Sequence, residues 1–349
     1  MHSSIALEVG NDSQKDPNDT SALYETSLHL ADTDGDFPVH WKSGSLKYSD
    51  FKLMTEGGTA KLFLCRDINL HREVVYKTLH PEMRESEIET QRFLREARVT
   101  AKLAHPGTVP VYEMGRDRNG DMYFTMKRVR GRNLRHIIQD LRDGSEKITQ
   151  LFTLDVLIDS LIQICQTVAY AHNHGVIHRD LKPGNVFLCH VEGDDDYVKV
   201  MDFGIARVIT ADEELGNLTR TGMTQGTPAY MAPEQAMALK TTPASDLYSL
   251  GCMMYEMLTG EMPFTGDSSM AISLAHVNDP PPTLAIPGDS GRLSRPWNEL
   301  FQVLLEKKKK NRIQSAQELA ERFETLGRLA DPGLEGPLDS IQEDKTVLV

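Results

Sequence analysis

The chain has little of what marks secreted or membrane proteins. Its four cysteines, at 65, 165, 189 and 252, are widely dispersed and form no CxxC pair, so we expect buried, reduced thiols in a reducing compartment. No run of about 18 uncharged apolar residues occurs. The first residues lack the basic-then-apolar order of a signal peptide, and no repeat of about 20 to 50 residues is found. These absences predict a cytoplasmic protein without a membrane span.

Negative charge is in excess, and most of it lies near the two ends of the sequence. The 349 residues carry a formal net charge of −13, of which residues 1–47 contribute −5 and residues 331–349 contribute −4. The nearly neutral segment between them argues against nucleic-acid binding. Residues 1–47 are also poor in large apolar side chains, so we expect them to be a disordered acidic segment, and we expect an acidic tail over residues 330–349.

The hydrophobic pattern predicts a β-rich segment followed by a helical one. Strands are predicted at 51–54, 61–65, 73–79, 109–114 and 122–129, with a helix at 86–103. Further along, apolar residues at helical spacing predict a core helix with Thr153 as N-cap and Gly175 past its end. A helix over 247–258 is apolar almost all round and ends at Gly260, so it is predicted to be buried. With 40% hydrophobic residues, the chain can form one domain of roughly 250 to 300 residues plus tails.

One run of polar residues carries a specific chemistry. Asp180, Lys182 and Asn185 lie within His178-Arg179-Asp180-Leu181-Lys182-Pro183-Gly184-Asn185, and Asp202-Phe203-Gly204 begins 22 positions after Asp180. A hydroxyl attacking the γ-phosphate of ATP needs an oriented proton acceptor and divalent cations near the phosphates. Asp180 fits the first role, and Asn185 and Asp202 fit the second, because Mg²⁺ takes oxygen ligands. The run predicts a phosphoryl-transfer site in which Lys182 steadies the transferring group.

These motifs resemble the catalytic-loop and DFG signatures of the protein kinase family, and the resemblance covers about residues 48–329. It implies an α+β bilobal fold, with a small β-rich N-lobe at about 48–129 and a larger α-helical C-lobe at about 130–329. Lys182 and the Gly-Thr-Pro-Ala-Tyr string at 226–230 are typical of Ser/Thr kinases, here of the eukaryotic-like bacterial Hanks type. The resemblance implies ATP and Mg²⁺ as cofactors, with Mn²⁺ as an alternative ion, and protein substrates; it leaves the oligomeric state open.

The resemblance also assigns the nucleotide contacts. Lys77 would hold the α- and β-phosphates, and Glu96, 19 positions later, would fix this lysine. Met126 would be the gatekeeper before the hinge, although it can equally be ordinary core filler. Main-chain contacts to the adenine would come from Lys127 and Val129. The other nucleotide-binding residues that the resemblance implies are Met54, Gly57, Gly58, Leu62 and Val75.

The glycine-rich loop departs from the family pattern GxGxxGxV. Aligned with it, the sequence has Thr55 at the first glycine and Ala60 at the third, which leaves Gly57 in register and Gly58 as an extra glycine at the tip. Glycine there permits close approach of the backbone to phosphates, so the departure predicts weakened ATP binding. The alternative is a β-turn that merely covers the site while Lys77 and the metals hold the phosphates.

Residues 202–234 resemble an activation loop. Its candidate phosphosites are Thr219, Thr221 and Thr224, and Arg179 is the cation that a phosphothreonine would engage. The alternative is that these threonines are ordinary loop residues.

Two structural pairings and one insertion complete the expectations. By resemblance, Asp246 braces the catalytic-loop backbone, and Glu234 forms a buried ion pair with Arg312. The acidic stretch at 192–196 is predicted to be an enlarged hairpin turn, with a metal-binding role for its aspartates as the alternative.

The expected function is a Ser/Thr protein kinase that transfers the γ-phosphate of ATP to protein hydroxyls and autophosphorylates its activation loop. The altered glycine-rich loop motivates one alternative, a pseudokinase that acts as a scaffold or binding module. A small-molecule kinase of the same superfamily is a further alternative. It is disfavoured because such enzymes lack the segment from Gly-Thr-Pro-Ala-Tyr to Ala-Pro-Glu that shapes a peptide site.

Overall fold

An antiparallel sheet precedes a mainly helical region in the computed structural model, which describes residues 42–191, 194–203, 228–286 and 292–330. The strands are β1 (Tyr48–Glu56), β2 (Ala60–Asp67), β3 (Arg72–Leu79), β4 (Val111–Arg116), β5 (Met122–Lys127), β6 (Arg132–Asn133), β7 (Val186–Val191) and β8 (Asp194–Val200). The helices are α1 (Glu87–Lys102), α2 (Leu134–Arg142), α3 (Glu146–Leu151), α4 (Leu154–Asn173), α5 (Pro233–Ala236), α6 (Pro243–Thr259), α7 (Ser269–Asn278), α8 (Ser294–Leu304) and α9 (Ala316–Ala330).

The first sheet has five antiparallel strands in the order β1-β2-β3-β5-β4. Successive side chains of a strand point to opposite faces, and β3 shows the consequence. Val75 and Leu79 pack in one apolar cluster with Phe93 of α1, whereas Val74 and Tyr76 belong to a separate, largely aromatic cluster. The face of β3 that carries Val75 therefore faces α1, and odd-numbered residues of this strand lie on that side.

The helical region is built around α4 and α6, whose side chains dominate the largest apolar cluster. α6 is buried on nearly all sides and ends at Gly260, which has φ +76°; glycine adopts this left-handed conformation without steric cost. α9 packs closely on α4, since a Cβ at Gly327 would lie 3.1 Å from the Ile158 Cγ2. A second antiparallel sheet has the order β6-β7-β8; β6 directly precedes α2 in the chain, and β7 and β8 lie between α4 and α5.

By length and composition alone α4 could cross a membrane, and it is the one helix of the described ranges with this property. Its apolar side chains, however, supply much of the main core: Leu161, Ile164, Cys165 and Val168 have no exposed surface. α4 therefore packs as a core helix of the domain.

The predicted elements agree with the structure in type and differ at their ends. The α+β, two-lobed arrangement is present. Thr153 and Gly260 lie at the predicted helix ends, although the Thr153 hydroxyl makes no capping bond. The acidic stretch at 192–196 was predicted to be a turn, and this is wrong for its last three residues: β8 begins at Asp194, paired with Val191, because antiparallel pairing continues almost to the tip.

The predicted boundaries near 48, 129 and 329 stay predictions. The acidic N-terminal segment lies outside the described residues up to residue 41, and the acidic tail lies outside them from residue 331.

Candidate active site

Lys77 and Glu96 form an ion pair between the sheet and α1. Lys77 lies on the face of β3 that packs on α1, and Glu96 follows the buried Phe93 by about one helical turn. The Lys77 Nζ lies 2.5 Å from the Glu96 Oε1 and 3.9 Å from the Asp202 Oδ1. The predicted pairing of Lys77 with Glu96 is therefore present, and Lys77 also reaches the carboxylate that follows β8.

The surroundings keep Lys77 charged. Burial alone would lower its pKa, but the carboxylates of Glu96 and Asp202 outweigh burial and hold the pKa of the ammonium above its ordinary value. Its side chain is 11% exposed. Lys77 is thus a fixed, mostly buried positive charge, which suits a phosphate ligand.

Asp180, Lys182 and Asn185 converge in the segment between α4 and β7. The Lys182 Nζ donates to the Asp180 Oδ2 at 2.7 Å. The Asn185 Nδ2 donates to the Asp180 main-chain oxygen at 2.8 Å and lies 3.3 Å from its Oδ2. These donors orient the Asp180 carboxylate, which remains 42% exposed and can accept a proton from a bound hydroxyl.

Asn185 and Asp202 fit a hard divalent cation. The Met201 N–H donates to the Asn185 main-chain oxygen at 2.8 Å, which brings the residue before Asp202 against Asn185. Because the Asn185 amide nitrogen is engaged with Asp180, its Oδ1 is the atom available to a ligand. The Asp202 side chain is 54% exposed. An amide oxygen and a carboxylate are the oxygen donors that such cations take.

Asp246, near the start of α6, stabilises the main chain at His178 and Arg179, just before Asp180. Its carboxylate accepts from the main-chain N–H groups of His178 and Arg179 and from the His172 Nε2, each at 2.8 Å. Burial opposes ionisation, but these bonds and nearby histidines prevail and lower the pKa of Asp246. Arg179 has φ +65°, a conformation that side chains other than glycine rarely adopt, so Asp246 stabilises a strained backbone beside Asp180. The predicted bracing contact is confirmed.

Apolar side chains form a surface beside Lys77. Leu62, Val129 and Met201 pack against the cluster that contains Val75 and Met126. Met126 therefore packs as a core residue, as one of its two interpretations predicted. Its role as a gatekeeper stays a prediction.

The other predicted nucleotide contacts are more exposed. The Lys127 N–H donates to the Pro110 oxygen at 2.9 Å, so a contact from Lys127 to a ligand would come from its carbonyl. Met54 is 52% exposed, on a strand whose side chains are mostly exposed. Gly57 and Gly58 lie between β1 and β2 and have no positive φ. The shape of this turn therefore does not depend on a left-handed glycine.

Two predictions concern residues 202–234, the segment that resembles an activation loop. The candidate phosphosites Thr219, Thr221 and Thr224 lie outside the described residues. The Glu234–Arg312 pair is confirmed: the two terminal guanidinium nitrogens of Arg312 donate to the Glu234 carboxylate at 2.8 Å, and both side chains are buried.

Four contacts at the site escaped sequence reasoning. The Asn133 Nδ2 donates to the Gly184 oxygen at 2.7 Å, and the Gln235 Nε2 donates to the Arg179 oxygen at 2.7 Å. Met201 packs on the apolar surface, and His80 contacts the turn between β1 and β2. Each is a single side chain that meets a distant main-chain group or cluster, and no sequence spacing signals such a contact.

Comparisons with known proteins agree with this geometry. The family description "Protein kinase domain" matches residues 48–323. The chain belongs to this family.

Bacterial relatives carry the same assignment in their names. Serine/threonine-protein kinase pkn3 of Myxococcus xanthus is 34% identical over 281 residues, 79% of this chain and 49% of that protein. Serine/threonine-protein kinase PknB of Mycolicibacterium smegmatis is 38% identical over 280 residues, 78% of this chain and 42% of that protein. The DNA damage-responsive serine/threonine-protein kinase RqkA of Deinococcus radiodurans is 38% identical over 237 residues, 68% of this chain and 33% of that protein. The chain thus spans between a third and a half of the length of these relatives.

Proposed function

We propose that this chain is an ATP-dependent Ser/Thr protein kinase. The observation that carries the proposal is the convergence of two sets of groups. Lys77 is paired with Glu96 and lies near Asp202. Asp180 and Asn185 are hydrogen-bonded to each other, and the Asn185 main-chain oxygen accepts from Met201, the residue between β8 and Asp202. A cation for phosphates, oxygen ligands for a metal and an oriented carboxylate therefore lie together, as transfer of the γ-phosphate requires.

Each residue has a distinct role in the proposed reaction. Lys77 binds the α- and β-phosphates, and Glu96 holds its ammonium in place. The adenine would lie against Leu62, Val75 and Met126. The remaining proposed nucleotide contacts are those of the main chain and of the loop: Lys127, Val129, Met54, Gly57 and Gly58.

The polar groups of the catalytic loop act on the acceptor. Asp180 accepts the proton of the attacking Ser or Thr hydroxyl, which is a proton transfer to a group within hydrogen-bond reach. Lys182, 2.7 Å from this carboxylate, offsets charge on the transferring phosphoryl group. Asn185 and Asp202 would hold the divalent metal, for which we propose Mg²⁺ with Mn²⁺ as the alternative; when bound, the metal neutralises charge on the phosphates.

The proposal extends to regulation and location. We propose autophosphorylation at one or more of Thr219, Thr221 and Thr224, with Arg179 as the partner of the phosphate. We also propose a cytoplasmic location, supported by the four cysteines, all of which are free and buried. Burial raises the pKa of Cys65 to about 12, and thiols of this kind are inert in a reducing compartment.

The test uses Asp180→Asn, which keeps the size of the side chain and removes the proton acceptor. Purified wild type and variant are incubated with labelled ATP and Mg²⁺, alone and with a generic basic protein. Label in the wild type and at least about 100-fold less in the variant is the expected result, since a general base contributes about 10²- to 10⁴-fold. A wild type that binds nucleotide without transferring phosphate would establish the pseudokinase alternative instead.

A further inference from the structure

His80, the residue that follows β3, contacts the turn between β1 and β2 with both its main chain and its ring. Its N–H donates to the Thr59 oxygen at 3.0 Å, and its ring Nε2 donates to the Gly57 oxygen at 2.7 Å. The other ring nitrogen lies 3.6 Å from the Glu56 Oε1. The side chain is only 14% exposed, although it lies beyond the end of β3.

The turn between β1 and β2 does not use its glycines for a left-handed conformation or a close contact. Neither Gly57 nor Gly58 has a positive φ, and a Cβ at Gly57 would come no closer than 3.6 Å to another atom, the Ala60 oxygen. Thr55 and Ala60 occupy two positions where the family pattern has glycine. Within the turn, the Gly57 N–H donates to the Ala60 oxygen at 2.9 Å, and His80 adds two contacts from outside it.

The bond to Gly57 fixes the direction of a peptide group. In a planar trans peptide the C=O of one residue and the N–H of the next point in opposite directions. A Gly57 carbonyl held against His80 therefore turns the Gly58 N–H away from His80. β3 ends at Leu79. Continued by one residue, the side-chain alternation of β3 would place His80 on the face opposite Lys77, and the Gly58 N–H would then be directed to the side on which Lys77 lies.

The carboxylate beside the turn is paired with a lysine. The Glu56 carboxylate lies 2.9 Å from the Lys61 Nζ, and this hydrogen bond, with the Coulomb attraction of Lys61 and His80, lowers the pKa of Glu56. Glu56 is thus ionised, and its charge is offset by Lys61 beside the turn. A free carboxylate at this place would repel an incoming phosphate.

We propose that His80 is a positioning residue for nucleotide phosphates: it clamps the β1–β2 turn through the Gly57 carbonyl, so that a main-chain N–H faces the phosphates in place of a glycine-shaped loop. The inference rests on the proposed function, since it concerns the same nucleotide. His80 touches neither substrate nor reacting atoms and acts through the backbone of the turn.

The test compares His80→Leu, which removes the donor, with His80→Gln, whose amide nitrogen can replace the ring Nε2. The matched control is His71→Asn, an exposed histidine at the opposite end of β3, where φ is +51° and Asn is well tolerated. Calorimetry measures the affinity of each protein for ADP with Mg²⁺ and for adenosine. Hydrogen exchange measures protection of the amides at 57–61 without any ligand.

His80→Leu should weaken ADP binding about three- to tenfold, the effect of one hydrogen bond, and leave adenosine binding unchanged because adenosine has no phosphate. Exchange at 57–61 should accelerate. His80→Gln should restore both values to within about twofold, and His71→Asn should match the wild type. In kinase assays the KM for ATP should rise in His80→Leu while kcat and the KM for a peptide stay constant.

Equal loss of ADP and adenosine affinity, equal defects in the Leu and Gln variants, or unchanged exchange in His80→Leu would each overturn the proposal. A wild type that binds ADP but transfers no phosphate removes the proposed kinase function and leaves the clamp to be judged by binding and exchange. A wild type that binds no ADP overturns both.

Discussion

Asp246→Asn is the most informative single change outside the residues proposed to bind nucleotide or to react, because it alters one atom that supports the main chain before Asp180. The Asp246 carboxylate accepts the His178 and Arg179 main-chain N–H groups and the His172 ring, each at 2.8 Å. Asn keeps the shape but has one acceptor oxygen, and its amide group would face a donor. At least one buried N–H then loses its partner.

The expected magnitude follows from these bonds. Hydrogen bonds to a charged group contribute about 1.5 to 3 kcal/mol each, whereas the left-handed conformation of Arg179, with φ +65°, costs about 1 to 2 kcal/mol. The hydrogen bonds of the intact carboxylate contribute more free energy than the strain at Arg179 costs, whereas those of the amide do not. We expect a loss of about 3 to 5 kcal/mol in the free energy of unfolding, which lowers the Tm by roughly 6 to 20 °C. Displacement of Asp180 by about 1 Å should lower kcat roughly 100-fold.

Thermal unfolding and steady-state kinetics of the wild type and Asp246→Asn test this. The double variant Asp246→Asn with Arg179→Gly separates strain from lost bonding, because glycine removes the cost of the positive φ and should recover about 1 kcal/mol of stability. A single variant with an unchanged Tm and a kcat within about twofold of wild type would refute the reasoning. So would a double variant that is less stable than Asp246→Asn.

Two further predictions concern ionisable side chains in the interior. Glu96→Gln should lower kcat/KM for ATP about tenfold or more by releasing Lys77, yet have no added effect in a Lys77→Met background, because Glu96 acts through Lys77; additive losses in the double-mutant cycle would contradict this. Burial lowers the pKa of His276 from 6.5 to about 4, so below pH 6.5 the unfolded chain takes up a proton that the folded chain does not. Stability should fall by up to about 3 kcal/mol between pH 6.5 and 4. Urea unfolding of His276→Asn across this range should lack that component, and an identical acid dependence would disprove it.

The sequence was sufficient to single out the polar residues that the structure brings together. Asp180, Asn185 and Asp202 were predicted from residue types and spacing, since a proton acceptor and oxygen ligands have few alternatives. Lys77 and Glu96 needed the resemblance to be paired, because a strand lysine and a helix glutamate lie 19 positions apart and no local periodicity joins them. The contact between them is confirmed, and their roles stay proposals.

The geometry of the turn between β1 and β2 could not be predicted. The missing glycines at Thr55 and Ala60 suggested a looser loop, yet the structure holds the turn by a ring nitrogen 23 positions away from Gly57. A contact between a side chain and a main-chain oxygen leaves no mark in composition or periodicity. The same is true of Gln235, whose amide reaches the Arg179 oxygen across 56 positions.

Backbone strain shows how the chemistry and the core depend on each other. Arg179 and Asp202 both have a positive φ, at +65° and +51°; Arg179 directly precedes the proposed base, and Asp202 is itself a proposed metal ligand. Such conformations persist only where surrounding contacts impose them. For Arg179 these contacts come from Asp246 on one side and Gln235 on the other, both from the helical region that follows in the chain. The motif at 178–185 therefore supplies the groups that are proposed to react, whereas α5 and α6 help to fix their positions. Substitutions in those helices should impair turnover before the domain as a whole unfolds.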